Sequence, residues 1–278
     1  MQISDSIVSL QYRGLDLNVA MRFRERGDNL LILLHGLGCS KDSFDGAFRA
    51  PELRTYAVCA IDFPGHGGSS RRLPSELYSL EAYADVTGLV IDRVLTGANR
   101  DYQRLCVAGH SMGGAVALLL PEGEREVTSL VSMDGNLVSE DCGLASRGIA
   151  EQTSEQFVAK GYADFRAALR SSAARDARAW ARWSASSEPY AMHAAARSLV
   201  EWSDSGKLLE QFNATEQRAF IYGARDDKEY LFARLPETPI AAVPDAKHFM
   251  MVDNPKALYE ILAATLGLCR AESVVGLR

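Results

Sequence analysis

The chain has 278 residues, enough for one large α/β domain with a modest insertion, and at 47% apolar it can bury a sizeable core. Its formal net charge of -6 argues against nucleic-acid binding, which calls for a basic patch. No apolar run reaches the roughly 18 residues of a membrane span. The start "MQISDSIVSLQYRGLDLN" lacks the basic-then-apolar pattern of a signal peptide, so a cytoplasmic protein is expected.

Taken in chain order, "SIVSLQYRGLDLNVAMRF" (6–23) reads as two alternating strands around a turn at Arg13-Gly14. "NLLILLHG" (29–36) is a short continuous apolar run, the pattern of a strand buried on both faces. "YAVCAIDFPGHG" (56–67) repeats it and ends in a Gly/Pro-rich loop, and residues 80–95 space their apolar positions as an amphipathic helix. "RLCVAGH" (104–110) predicts a further strand, with "MGGAVALLL" starting a helix behind it. "VTSLVSMDGN" (127–136), "RAFIYGARDD" (218–227) and "PIAAVPDAKH" (239–248) continue the series. Strands alternating with helices imply parallel pairing and a doubly wound sheet. From about Val138 to Phe212 no strand-like run occurs, which predicts a helical insertion over the carboxyl ends of the strands. The five cysteines, Cys39, Cys59, Cys106, Cys142 and Cys269, are scattered with no C-x-x-C pair, so neither a disulfide framework nor a zinc site is expected.

Gly109-His110-Ser111-Met112-Gly113 matches G-x-S-x-G, with a strand before it and a helix after. Such an abrupt turn strains the central residue and brings the flanking backbone close, which is why glycine is needed on both sides. The plainer reading, a Gly-rich phosphate loop, lacks the G-x-G-x-x-G spacing. A serine needs a base. The five histidines are His35, His66, His110, His193 and His248, and of these His248 follows the last strand and shares the carboxyl edge with Ser111. His110 adjoins the serine in sequence, so its ring points away from it. The acid that orients the base is sought at strand ends near the last strand: Asp226 first, Asp134 second, Asp227 last. Each has a competing reading as a loop carboxylate that binds backbone N–H groups. The N–H groups of Leu37, in "HGLG" (35–38), and of Met112 are the expected oxyanion donors.

With "LLHGLG" (33–38), "IDFPGHGGS" (61–69), "GHSMGG" (109–114), "YGARDD" (222–227) and "KHFMMVDNP" (247–255) in this order, the chain resembles the α/β-hydrolase family, in its lid-bearing serine branch. The resemblance implies an eight-stranded, mostly parallel sheet with helices on both faces and a helical cap after strand 6. It divides the chain into a core of residues 1–137 and 213–278 and a cap of residues 138–212. It also implies Ser111 as nucleophile, His248 as base and Asp226 as acid, and makes "PGHG" with His66 a structural turn. Two departures are visible: "DKEYLFARL" after Asp226 lacks the usual apolar-plus-proline stretch, and "MDGN" stands where some relatives carry the acid.

In the insertion, Trp180 and Trp183 share a helix face, as packing residues or as an aromatic wall for substrate; His110 is a further candidate for substrate contact. Arg175, Arg178 and Arg182 form a stripe that is either solvated or set to meet a carboxylate. The expected activity is acyl transfer to water from a small carboxylic ester or lactone, with no metal or organic cofactor and a small-molecule partner. The alternatives are a C–C bond hydrolase, a thioesterase, a cofactor-free perhydrolase or acyltransferase, and a non-catalytic binding protein. Oligomeric state is not encoded in any visible pattern.

Overall fold

In a computed structural model that describes residues 3–98, 101–120 and 126–268, the apolar runs become strands covered on both faces. β1 (Ser4–Tyr12) and β2 (Leu15–Arg24) form an antiparallel hairpin. Its turn places Arg13 and Gly14 at φ 49 and 79, the pair of positive values that matches strand twist in a two-residue loop. β3 (Asn29–Leu34), β4 (Tyr56–Ile61), β5 (Leu105–His110), β6 (Val127–Met133), β7 (Arg218–Gly223) and β8 (Ile240–Val243) complete the sheet. Among the described residues it has eight strands in the order β1-β2-β4-β3-β5-β6-β7-β8. β3 to β8 pair in parallel, and β2 joins them antiparallel to β4.

The helices follow the predicted rhythm. α1 (Leu80–Gly97) and α2 (Met112–Leu118) precede the longer helices between β6 and β7, α3 (Ser146–Ala150), α4 (Tyr162–Ser171), α5 (Arg175–Ser184), α6 (Pro189–Asp204) and α7 (Lys207–Ala214), with a single turn at Ser154–Gln156 between the first two. α8 (Glu229–Phe232), α9 (Met250–Asp253) and α10 (Pro255–Leu268) follow β7 and β8. Side chains alternate across a strand, so β3 feeds two cores. Leu30, Ile32 and Leu34 pack with α1 and α2, while Leu31 and Leu33 pack with Leu258 and Leu262 of α10. Helices therefore cover both faces, as an open parallel sheet requires.

The α3–α7 segment is tied to the strand ends by directed contacts. Glu188 donates its N–H to Gly65 O at 2.7 Å, and its carboxylate accepts from Arg72 N and Tyr78 OH. Ile149, Phe157, Met192 and Leu199 continue the core that contains α1 and α2. Cys39, Cys59, Cys106 and Cys142 are buried, whereas Cys269 lies outside the described residues. Among the described residues, no helix is long and apolar enough to cross a membrane.

Candidate active site

Ser111 stands at the turn from β5 into α2 with φ 53 and ψ -123, a conformation that L residues avoid at a cost of about 1–3 kcal/mol. Close packing enforces it. A Cβ on Gly109 would lie 2.1 Å from Gly113 O, and one on Gly113 would lie 2.2 Å from Leu34 O. Only glycine allows the helix to approach β3 and β5 this closely. The Ser111 N–H donates to Met133 O at 3.1 Å, and the half-buried hydroxyl donates to Asn136 Oδ1 at 3.4 Å.

His248, on the loop between β8 and α9, shares a small cavity with Ser111. Its Nδ1 is 2.7 Å from Asp134 Oδ2. A carboxylate only accepts, so Nδ1 carries the proton and Nε2 is left with a lone pair. Asp134, one residue past β6, is itself at φ 49 and its side chain is 1% exposed. Burial opposes its ionisation, but His248 and Lys228 outweigh that effect and hold the carboxyl well below its usual range. Lys228 Nζ lies 2.7 Å from Asp134 Oδ1 and 3.1 Å from Asp141 Oδ1. Asp141 also accepts from Tyr230 OH at 2.5 Å, and its second oxygen takes the N–H groups of Leu137 and Val138.

The carboxylate beside His248 is therefore Asp134, the second choice, and not Asp226. Asp226 is half-buried on the loop after β7, with its N–H bonded to Gly223 O, and burial and then the charge of Asp134 push its carboxyl up. The exposed Asp227 accepts from Glu229 N at 3.1 Å. Leu37 lines the cavity, and Met112 follows the serine as the first residue of α2. Trp180 lines it too, and its Nε1–H donates to Leu37 O at 3.0 Å. Trp183 is half-buried against Phe249, with ring centroids 6.0 Å apart.

His110 borders the cavity but is fully buried, and its Nε2–H donates to His248 O at 2.8 Å. Burial drops its pKa to about 3, so the ring is neutral and braces the His248 loop. His35 Nε2 accepts from Phe63 N, His66 turns to Pro64 O and His193 to Gln152 O. Arg175, Arg178 and Arg182 are exposed, and the latter two donate to nearby backbone carbonyls. Sequence reasoning missed Asn136, Asp141, Lys228 and Tyr230. The only trace of Lys228 and Tyr230 was the unusual "DKEYLFARL".

The cavity over Ser111 holds about 20 Å³, room for one water molecule. A roomier groove of about 560 Å³ lies between Arg13, Glu76, Tyr190 and Arg197, away from Ser111 and His248. It is an open, mixed-charge depression whose one histidine, His193, turns to Gln152 O. Cys39 also lines the small cavity, and burial pushes its thiol far up and keeps it protonated.

A model of the alpha/beta hydrolase family matches residues 31–261, most of the chain. A Mycoplasma pneumoniae protein named as an esterase/lipase is 35% identical over 95 residues, 34% of this chain and 33% of its own length. The matched stretches span 33% to 38% of the first curated relatives. Among solved structures, one named as an aryl esterase from Burkholderia cenocepacia superposes with a TM-score of 0.73 at 19% identity, over 95% of this chain and 99% of that one. An N-acyl homoserine lactonase complexed with N-butanoyl homoserine gives 0.70 at 19% identity, over 96% and 98%. At these identities the superpositions speak for the fold, and the family match carries the assignment: the chain belongs to the alpha/beta hydrolase family.

Proposed function

We propose that the protein is a serine hydrolase that cleaves a small carboxylic ester or lactone through an acyl-enzyme on Ser111. The observation that carries this reading is the 2.7 Å contact between Asp134 Oδ2 and His248 Nδ1, beside a serine held at a strained strand–helix turn. In the first step His248 Nε2 takes the Ser111 proton while Oγ forms a bond to the substrate carbonyl carbon. The carbonyl π electrons move to oxygen, and the N–H groups of Leu37 and Met112 stabilise that oxyanion. Collapse expels the alkoxide, which takes the proton from the imidazolium. Water then repeats the sequence, frees the acid and restores Ser111. Asp134 holds the imidazole in the productive tautomer and stabilises its cationic form.

In this reading residues 138–212 are a cap over Ser111. The small volume of the cavity and its apolar walls, Leu37, Leu144, Trp180 and Phe249, favour a compact acyl group. The ester- and lactone-related names among the similar proteins agree with this class. The test is incubation of the folded protein with a fluorophosphonate, followed by peptide mapping and a panel of short-chain esters and lactones. Ser111 is expected to be labelled in the wild type, and Ser111→Ala to abolish labelling and turnover. An unlabelled wild type would remove the nucleophile from this scheme.

A further inference from the structure

The loop after β7 contributes a cation, Lys228, to the site. Its side chain is 10% exposed, and its ammonium lies within 3.1 Å of two carboxylates, Asp134 from the end of β6 and Asp141 from the turn Ser139–Gly143. Two carboxylates gathered in a buried site repel each other, and a cation between them relieves that repulsion. When His248 is neutral the group Asp134, Asp141, Lys228 and His248 carries a net charge of -1; when His248 takes the serine proton the group becomes neutral. Without Lys228 the same two states would carry -2 and -1, so removing the cation favours the protonated imidazole relative to the wild type.

Resting on the triad reading above, we propose that Lys228 is a positioning residue that offsets the negative charge around His248 and keeps Asp134 aimed at Nδ1. Other titratable groups face this cluster. His110 is buried, neutral and bonded to the His248 carbonyl. Tyr230 holds Asp141, and burial together with Asp141 raises its pKa so that it stays protonated. Asp226 lies on the loop of Lys228, and Lys247 adjoins His248 with its N–H donating to Asp253. The segment after β7, where the sequence suggested the acid, thus supplies the counter-charge to an acid on the neighbouring strand.

The test is the pH dependence of two rates in the full chain: fluorophosphonate labelling of Ser111, and kcat/KM on a short-chain ester. In Lys228→Met the acid limb of both profiles is expected to move up by about one pH unit. The deficit of about tenfold at pH 6 then closes at pH 9. Lys228→Arg keeps the cation and is expected to return the limb towards its wild-type position. Asp141→Asn removes a negative charge and shifts the limb the opposite way, to lower pH; it also serves as the probe if Lys228→Met does not fold. Structural damage alone would depress the rate equally at every pH. Unmoved limbs in folded Lys228→Met, or in Asp141→Asn if the first variant fails to fold, overturn the proposal while leaving Ser111 chemistry intact. Absence of Ser111 labelling in the wild type overturns both.

Discussion

Asp134 and Asp226 end adjacent strands, yet it is Asp134 whose carboxylate meets the imidazole of His248 at 2.7 Å. Replacing it with Asn would keep the shape but supply an N–H where Nδ1–H needs an acceptor, favouring the wrong tautomer. Asp134→Asn is expected to lower kcat on a model ester by about 10³- to 10⁴-fold. Asp226→Asn is expected to stay within about threefold; the reverse pattern in steady-state kinetics would return the acid to Asp226. The sequence left these two in competition for a physical reason. Each stands just past an apolar strand, and strand pattern says nothing about loop direction. The deciding features are the backbone of Asp134 at φ 49 and the contacts of Lys228, whose partners lie 87 and 94 positions away along the chain. That Ser111 and His248 meet in one cavity was legible because their local signals, the glycine pair and a histidine after the last strand, are short-range.

At the level of elements, β1 to β8 were readable because alternating and continuous apolar runs report burial directly. The α3–α7 segment was readable as helical, but its boundaries were not. One stretch, Phe157–Gly161, takes the wider π-helical form before α4, an irregularity that apolar periodicity does not report. The paired tryptophans of α5 divide in function in a way that spacing could not reveal. Trp180 reaches the cavity and bonds Leu37 O, while Trp183 packs behind on Phe249. Trp180→Phe keeps an aromatic wall but loses the bond that holds the Leu37 loop. The net value of one such bond is about 1 kcal/mol, so kcat is expected to fall about five- to tenfold with a smaller change in KM. An unchanged kcat would show that α5 does not position that loop.

For the molecule as a whole, three fully buried histidines govern its response to acid. Burial is the leading cause in each case: it lowers the pKa of His35 to about 4 and of His66 and His110 to about 3, from 6.5. As pH falls through 6.5 the unfolded chain binds these protons and the folded chain does not, so stability is fully present above 6.5 and is lost on acidification. Each group contributes a slope of at most about 1.4 kcal/mol per pH unit near pH 5, or about 4 together. Urea titrations at pH 7 and pH 5 are expected to show a clear drop in the midpoint, with a similar m-value. Equal midpoints would mean that these rings accept protons in the native state. The same helical segment that completes this fold also lines the cavity at Ser111, through Leu144 and Trp180, and that cavity has space for one water. Its bond from Trp180 to Leu37 therefore has a temporal meaning. On the proposed mechanism, withdrawing α5 far enough to admit a reactant would break the tether on the loop proposed to cradle the oxyanion. Entry and chemistry would thereby fall at different moments of the proposed cycle.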